Sequence, residues 1–360
     1  MPTPATPDPD LQGVTAAFLS QGARFVVIGG FAVIANDYVR ATEDVDLLVP
    51  DDPANDTRLD QALLGLDARW HDDAQAVIDA PDVDIVYVAT MTDSHRDLVL
   101  RSAAAGKAVL SEKPMAMSHA DGLAMRDACR NANVPLWVAY YRRALPRFVA
   151  VRDLVATGAI GEVRMVVTRH LQRIPSPEAM RSKFWTWRLD PARSGGGIFF
   201  EAVGHTLDIL DFILGPVASV RAFAANQAGA YAPEDVVSVA YRFESGVHGS
   251  GAWCFSADAD DEHNEIIGSK GRITFSTFPP LSPPSGRPPV PIRIYRGNDV
   301  EEMPIVDPPY VHQPLIQSIV DEMNGAGRCP STPESALRTA RVIDECLAEF
   351  TAQRSGPGSK

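Results

Sequence analysis

The chain has 360 residues, 45% of them hydrophobic, so it can bury a sizeable core and is long enough for two domains. Its net charge is -13, from 46 acidic and 33 basic residues, and no run of Lys or Arg could follow a phosphate backbone, which excludes nucleic acid as an expected partner. The cysteines stand singly without a metal-ligand pattern, and neither a signal peptide nor a membrane span is recognisable. We therefore expect a soluble cytoplasmic protein with no membrane partner and no metal.

Short apolar runs in the first 140 residues predict the buried strands of a parallel, doubly wound α/β sheet. The runs are residues 25–28, 45–49, 85–89, 108–110 and 136–139. Helical segments with apolar residues three and four apart lie between them, near residues 57–64, 73–78, 95–105 and 119–131. We therefore predict a Rossmann-like nucleotide-binding domain over residues 1–140.

After Tyr140 the pattern changes to longer runs in which apolar and polar residues alternate, such as residues 163–169 and 236–243, beyond a helix near residues 148–157. Alternation indicates a large antiparallel or mixed sheet with one covered and one open face. This sheet would form a C-terminal α/β domain over residues 141–352. The proline-rich residues 278–291 are expected to form an exposed loop, and residues 353–360 a disordered tail.

Two of the predicted strands end in polar turns, at Thr90 to His95 and at Glu112-Lys113-Pro114. Because ligands bind at the carboxyl ends of the strands in an open α/β sheet, both turns should face one crevice. We expect Glu112 to place the ammonium of Lys113, which then becomes a candidate proton donor or acceptor. The alternative is an ordinary solvated loop.

A second group of residues follows Trp187-Arg188, where three glycines at 195–197 precede a predicted helix carrying Glu201, His205 and Asp208. Spacings of four and three residues put these three side chains on one helix face. A histidine and a carboxylate one turn apart can hold a substrate hydroxyl and take its proton while hydride leaves the same carbon. The alternatives are a partly buried structural histidine with a surface aspartate, or a metal site that lacks an identifiable third ligand.

The order of these motifs, with the stretches at 140–143 and 158–163 between them, is similar to the glucose/fructose oxidoreductase and inositol dehydrogenase family (Gfo/Idh/MocA) from about residue 68 onward. The resemblance implies NAD or NADP as cofactor, a sugar or polyol substrate, and a C-terminal open sheet that often mediates homo-oligomers. It implies Lys113 and His205 as catalytic groups, together with Glu201, which stands where many members have Asp. The residues that it implies near the cofactor are Thr90, His95, Glu112, Trp187 and Arg188.

The N-terminal segment departs from this family, because Gly29-Gly30 stands where a G-x-G-x-x-G motif is usual. Residues 1–66, with Gly29, Gly30, Asp44 and Asp46, resemble the start of a polymerase-β-type nucleotidyltransferase, in which the two aspartates would bind Mg²⁺. In the other interpretation, Gly29-Gly30 is the turn of an atypical first βαβ unit and Asp51 contacts the adenosine ribose, which would favour NAD. A plain turn and a solvated strand are the third possibility.

The leading hypothesis is an NAD(P)-dependent oxidoreductase that moves hydride between nicotinamide and a secondary alcohol of a sugar or polyol. Two alternatives stay open. One is a nucleotidyltransferase-like module that uses Asp44, Asp46 and Mg²⁺, and the other is a catalytically silent scaffold that has lost dinucleotide binding.

Overall fold

The structure is a computed structural model that describes residues 26–28, 46–48, 71, 73–278, 290–308 and 311–355. Several predictions therefore lie outside the described residues, namely those on Gly29, Gly30, Asp44 and Asp51, on the helix near 57–64, and on most of the proline-rich loop and the tail. Within the part that is described, no helix is both long and apolar enough to span a membrane.

Strands β1 (Val26–Ile28) and β2 (Asp46–Leu48) form a two-stranded sheet and belong to one compact unit. They pair antiparallel, with Ile28 opposite Asp46, whereas the sequence analysis expected both in a parallel sheet. An apolar run indicates where a strand is buried but does not encode its direction relative to a neighbour. The second compact unit begins at Ile78 and is described by itself below.

A parallel sheet in the order β3-β4-β5 follows, from Ile85–Val88, Ala108–Ser111 and Leu136–Val138. Helices α2 (Thr92–Ala104) and α3 (His119–Ala132) alternate with these strands, and α1 (Ala74–Ile78) precedes β3 in the chain. The Ser118 side chain accepts a hydrogen bond from the Asp121 amide to start α3, and Asn133 ends α3 in the left-handed region. All four residues of β4 are buried, as predicted for a central parallel strand.

An eight-stranded mixed sheet forms the rest of the unit, in the order β13-β12-β11-β10-β6-β9-β8-β7. Its strands are β6 (Val163–Arg173), β7 (Val217–Ala225), β8 (Val236–Phe243), β9 (His248–Ala257), β10 (Asp261–Gly268), β11 (Arg272–Phe275), β12 (Ile292–Arg296) and β13 (Asp299–Met303). Only β6 and β9 pair in parallel among these described strands. This sheet confirms the predicted mixed or antiparallel architecture.

One face of the large sheet is covered and the other is open, as the alternation predicted. In β8, Val237 and Val239 are buried while Ser238 and Ala240 are exposed. On β7, Phe223 is 80% exposed. The covered face packs into one hydrophobic core that also includes Leu110 and other side chains of the parallel sheet.

The remaining helical elements of this unit include those that position the candidate site. They are a 3-10 turn (Tyr141–Ala144), α4 (Pro146–Ala156), the short helices α5 (Pro177–Met180), α6 (Lys183–Thr186) and α7 (Pro191–Ser194), a π-helical turn (Phe199–Val203), α8 (Gly204–Leu214), α9 (Gln313–Met323) and α10 (Pro333–Ser355). Helix α8 is the central one, because almost all of its side chains are buried.

Candidate active site

Lys113 lies just beyond the carboxyl end of β4, and its backbone is held by the preceding glutamate. The Glu112 carboxylate accepts a hydrogen bond from the Lys113 amide at 2.9 Å and another from the Tyr87 hydroxyl at 2.5 Å. The peptide bond between Lys113 and Pro114 is cis. Glu112 therefore fixes the turn through the backbone, and the expectation that it places the Lys113 ammonium is wrong.

His95 joins the two predicted turns. Its Nδ1 lies 3.1 Å from the Pro114 carbonyl and its Nε2 lies 3.0 Å from the Thr90 carbonyl, and the ring is buried. The turns after β3 and β4 are thus held together at one edge of the parallel sheet. Because both ring nitrogens lie within hydrogen-bond distance of backbone carbonyls, His95 has a structural role in holding the two turns together. That His95 lies near a cofactor stays a prediction.

Glu201 lies between two cations. Its Oε1 is 3.3 Å from the Lys113 Nζ and its Oε2 is 2.9 Å from the Arg188 Nε. Burial alone would raise the pKa of Glu201, but Lys113 and Arg188 outweigh it and hold the pKa below its usual value. An ionised Glu201 therefore positions the Lys113 ammonium, the role first expected of Glu112.

Arg188 is itself fixed by aromatic rings and a backbone carbonyl. Its guanidinium carbon lies 3.8 Å from the ring centre of Phe184 and 4.5 Å from that of Trp187. Its Nη1 donates to the Phe184 carbonyl at 2.7 Å. The Trp187-Arg188 pair thus reaches the site through Arg188, which contacts Glu201.

The glycine stretch turns the chain toward Glu201. Gly195 has a φ of +91°, and a Cβ at this position would lie 2.8 Å from the Phe200 ring, so both conformation and space require glycine. The π-helical turn then carries Glu201 before α8 begins at Gly204. Turns of this type are frequent at functional sites because they redirect side chains.

His205 lies in the first turn of α8 and is buried among aromatic rings. The ring centres of Tyr140, Tyr141 and Phe278 lie 6.0, 5.8 and 5.8 Å from its own. Its Nδ1 has no hydrogen-bond partner among the described residues. Burial, followed by the charges of Arg142 and Lys113, lowers the pKa of His205 well below 6.5. The imidazole is therefore neutral near pH 7, with a nitrogen lone pair that can accept a hydrogen bond.

Asp208 does not share the site with His205, which corrects the expectation drawn from helix spacing. Arg143 Nε donates to both Asp208 carboxylate oxygens at 2.9 Å, and both side chains are buried. Asp211 adds a second carboxylate to Arg143 and also binds Arg338. Helix α8 is buried on all sides, so residues one turn apart contact different neighbours. Asp208 anchors α8 to the 3-10 turn.

Two further residues, to which the sequence analysis assigned no role, lie beside His205. The His312 ring stacks on Tyr141 with ring centres 4.3 Å apart. The Arg142 guanidinium lies between the rings of Tyr141 and Phe278, at 4.8 and 4.9 Å. No local pattern marks His312, whereas Arg142 belongs to the stretch at 140–143 that contributed to the family resemblance without an assigned role.

Two family models match the chain. An oxidoreductase family with an NAD-binding Rossmann fold matches residues 24–140, and the GFO/IDH/MocA C-terminal domain matches residues 148–274. The chain belongs to the Gfo/Idh/MocA oxidoreductase family. The match to the Gfo/Idh/MocA N-terminal model begins well before residue 68, where the motif resemblance began.

Curated relatives and a solved structure are also similar to much of the chain. Oxidoreductase P35 of Formosa agariphila is 28% identical, over 77% of this chain and 82% of that protein. Inositol 2-dehydrogenase of Rhizobium meliloti is 34% identical, over 61% of this chain and 64% of that protein. The crystal structure of aldose-aldose oxidoreductase from Caulobacter crescentus complexed with glycerol is 28% identical, with a TM-score of 0.64 over 78% of this chain and 81% of that one.

Proposed function

We propose that the chain transfers hydride between the nicotinamide of NAD or NADP and a secondary alcohol of a sugar or polyol, with Lys113, His205 and Glu201 around the reacting hydroxyl. The observation that carries the proposal is the 3.3 Å ion pair between Lys113 and Glu201, which joins two motifs 88 residues apart. Relatives named as an inositol dehydrogenase and an aldose oxidoreductase support the substrate class.

The described residues fit the nicotinamide-facing part of a dinucleotide site. The carboxyl ends of β3 and β4 lie side by side, as in the crevice where open α/β sheets bind their ligands. Thr90, Glu112, Trp187 and Arg188 would hold the cofactor here. Gly29, Gly30 and Asp51 would complete the site, but they lie outside the described residues.

The residues of the chain would hold the hydroxyl and move its proton. A bound nicotinamide supplies the hydride acceptor or donor. In the oxidation, the C–H bond breaks with its electron pair leaving as hydride, the O–H proton passes to neutral His205, and a C=O bond forms. The Lys113 ammonium, held by Glu201, stabilises the negative charge that develops on the oxygen. In the reduction the same proton returns from His205.

The test combines cofactor binding with turnover. Nicotinamide absorbance is followed across a panel of sugars and polyols with NAD or NADP, and NADH binding is measured by fluorescence titration. Lys113→Met should lose about 10²- to 10⁴-fold in kcat while NADH still binds, and Lys270→Met, on an exposed lysine, serves as the control. No turnover by a folded protein that binds NADH would refute the proposal, and absent NADH binding would instead favour a silent scaffold.

The second candidate is a nucleotidyltransferase-like module within residues 1–66. The antiparallel pairing of β1 with β2 supports it, because Asp46 lies opposite Ile28, the residue before Gly29. In this candidate Asp44 and Asp46 bind Mg²⁺. Incubation with labelled ATP or GTP and Mg²⁺ should then label a protein or small molecule, and labelling that survives in Asp46→Ala would exclude this candidate.

We also propose that the protein is a homo-oligomer that associates through the open face of the large sheet. The exposed Phe223 and the small side chains of Ser238, Ala240 and Ala252 make this face flat and partly apolar. Sedimentation should show Phe223→Asp as a smaller species than the parent chain.

The four cysteines are free, which supports a reducing compartment, and we propose the cytoplasm. We also propose that the domain boundary lies between residues 140 and 141, and that the C-terminal domain, residues 141–352, binds the substrate.

A further inference from the structure

Three arginines near the end of the parallel sheet are buried, and one of them differs from the other two. Arg142, Arg143 and Arg147 are 7%, 5% and 5% exposed. Arg143 pairs with two carboxylates, and Arg147 pairs with Asp307 at 2.9 Å. Among the described residues no carboxylate forms an ion pair with Arg142, and its Nη1 has no hydrogen-bond partner. Arg142 is therefore a buried cation with an unused donor.

The partners that Arg142 does have compensate its charge only in part. Its Nε donates to the Thr277 carbonyl at 3.0 Å, and the rings of Tyr141 and Phe278 cover its two sides. The nearby Glu262 carboxylate already accepts from the Thr277 and Phe278 amides and from Asn264. A guanidinium stays protonated in proteins, so an unpaired one in a buried position is costly unless a ligand completes it.

Arg142 faces the same aromatic cage as the catalytic histidine. Tyr141 and Phe278, which cover the guanidinium, are also two of the three rings around His205. The positive charges of Arg142 and Lys113 both act on His205. Glu201 neutralises only the side of the site that holds Lys113 and Arg188. The side next to Phe278 thus keeps a positive charge that no ion pair among the described residues neutralises, beside the aromatic cage of His205.

We propose that the substrate carries a carboxylate, and that Arg142 binds it through Nη1, so the substrate class is a polyhydroxy acid such as an aldonate or a uronate. This inference rests on the proposed function. A planar guanidinium matches a carboxylate in geometry and charge, and the water-poor surroundings strengthen the pair. The half-buried Phe278 ring, 4.9 Å from the guanidinium, is an aromatic neighbour on the side of His205 that a bound carboxylate would contact. Arg142 then determines which polyols the site accepts, while Lys113 and His205 act on the hydroxyl.

The binding test compares acids with matched neutral compounds on the full chain with saturating NADH. Calorimetry would measure sodium D-gluconate against sorbitol, and sodium D-glucuronate against glucose. At least one acid should bind about tenfold more tightly than its neutral partner. Arg142→Met should remove that preference, Arg142→Lys should keep part of it, and Arg164→Met, on an exposed arginine, should leave it unchanged. If neither acid is preferred, the inference is wrong.

A structural role for Arg142 predicts a different result. If Arg142 binds the substrate, Arg142→Met should keep its melting temperature and its NADH affinity, because replacing a buried unpaired charge by an apolar side chain of similar length is often neutral or stabilising. An equal loss of acid and neutral binding in Arg142→Met would overturn the inference. Turnover of sorbitol or glucose without acid preference would leave the oxidoreductase proposal intact. Acid binding that depends on Arg142, without turnover of any compound, would support the inference and refute the proposed activity.

Discussion

Glu234 provides a quantitative test of the packing beneath the glycine stretch. Its side chain is 2% exposed, and its Oε1 has no hydrogen-bond partner among the described residues. Burial raises the pKa of Glu234 from its usual 4.5 to about 7, and the amides of Gly197 and Phe200 offset this only in part. We therefore predict that Glu234→Gln removes a pH-dependent loss of stability.

The sign and size follow from proton linkage. Because the pKa is higher in the folded than in the unfolded chain, the folded state binds more protons between pH 4.5 and about 7, and the free energy of unfolding falls as the pH rises. From about pH 5.5 to about pH 8.5 this one group should lower the free energy of unfolding by about 2 kcal/mol. The glutamine variant cannot ionise, so its free energy of unfolding should exceed that of the parent by about 2 kcal/mol more at pH 8.5 than at pH 5.5.

Urea unfolding of the full chain at both pH values would measure the effect. The difference between the parent and Glu234→Gln cancels the titration of every other group. The control is Glu244→Gln, on an exposed carboxylate, which should follow the parent at both pH values. If the parent and Glu234→Gln lose the same stability between the two pH values, the carboxyl is not buried as described and the reasoning fails.

Three further predictions concern the site and its supports. Because the pKa of His205 lies well below 6.5, the acid limb of kcat/KM for alcohol oxidation should fall below that pH, and Arg142→Met should move it upward, as a pH–rate profile would show. Arg143→Met leaves buried carboxylates unpaired and should lower the free energy of unfolding by about 3–5 kcal/mol, against less than about 1 kcal/mol for Arg164→Met, on an exposed arginine, in the same urea titration. A Cβ at Gly197 would lie 2.4 Å from a proline Cβ, so Gly197→Ala should cost about 1–3 kcal/mol in thermal unfolding, and an unchanged melting temperature would contradict the contact.

The local elements follow closely from the sequence. The strands at 85–88, 108–111 and 136–138 lie within one or two residues of their apolar runs. Helix α2 begins at Thr92, three residues before its prediction, since the polar turn already has helical geometry. Hydrophobic periodicity succeeds here because it records which side of an element faces the core. The pairing direction of β1 and β2 was wrong because periodicity carries no information on direction.

The composition of the site depended partly on sequence and partly on packing. The order of Lys113, Glu201 and His205 within recognisable motifs was enough to place them in one candidate site. The sequence could not tell that Glu112 binds backbone while Glu201 holds the Lys113 ammonium. The choice between two glutamates depends on a π-helical turn, which has no distinct residue pattern.

What the sequence alone determined, then, is the α/β class, the two kinds of sheet and the motif order that identifies the family. Only the tertiary structure decided which charges are neutralised. Arg142 and Arg143 are adjacent and chemically identical, yet Asp208 and Asp211 of α8 pair with Arg143 and not with Arg142. A one-residue shift along the 3-10 turn points the two guanidinium groups in different directions, and partners distant in the chain decide the charge that each retains.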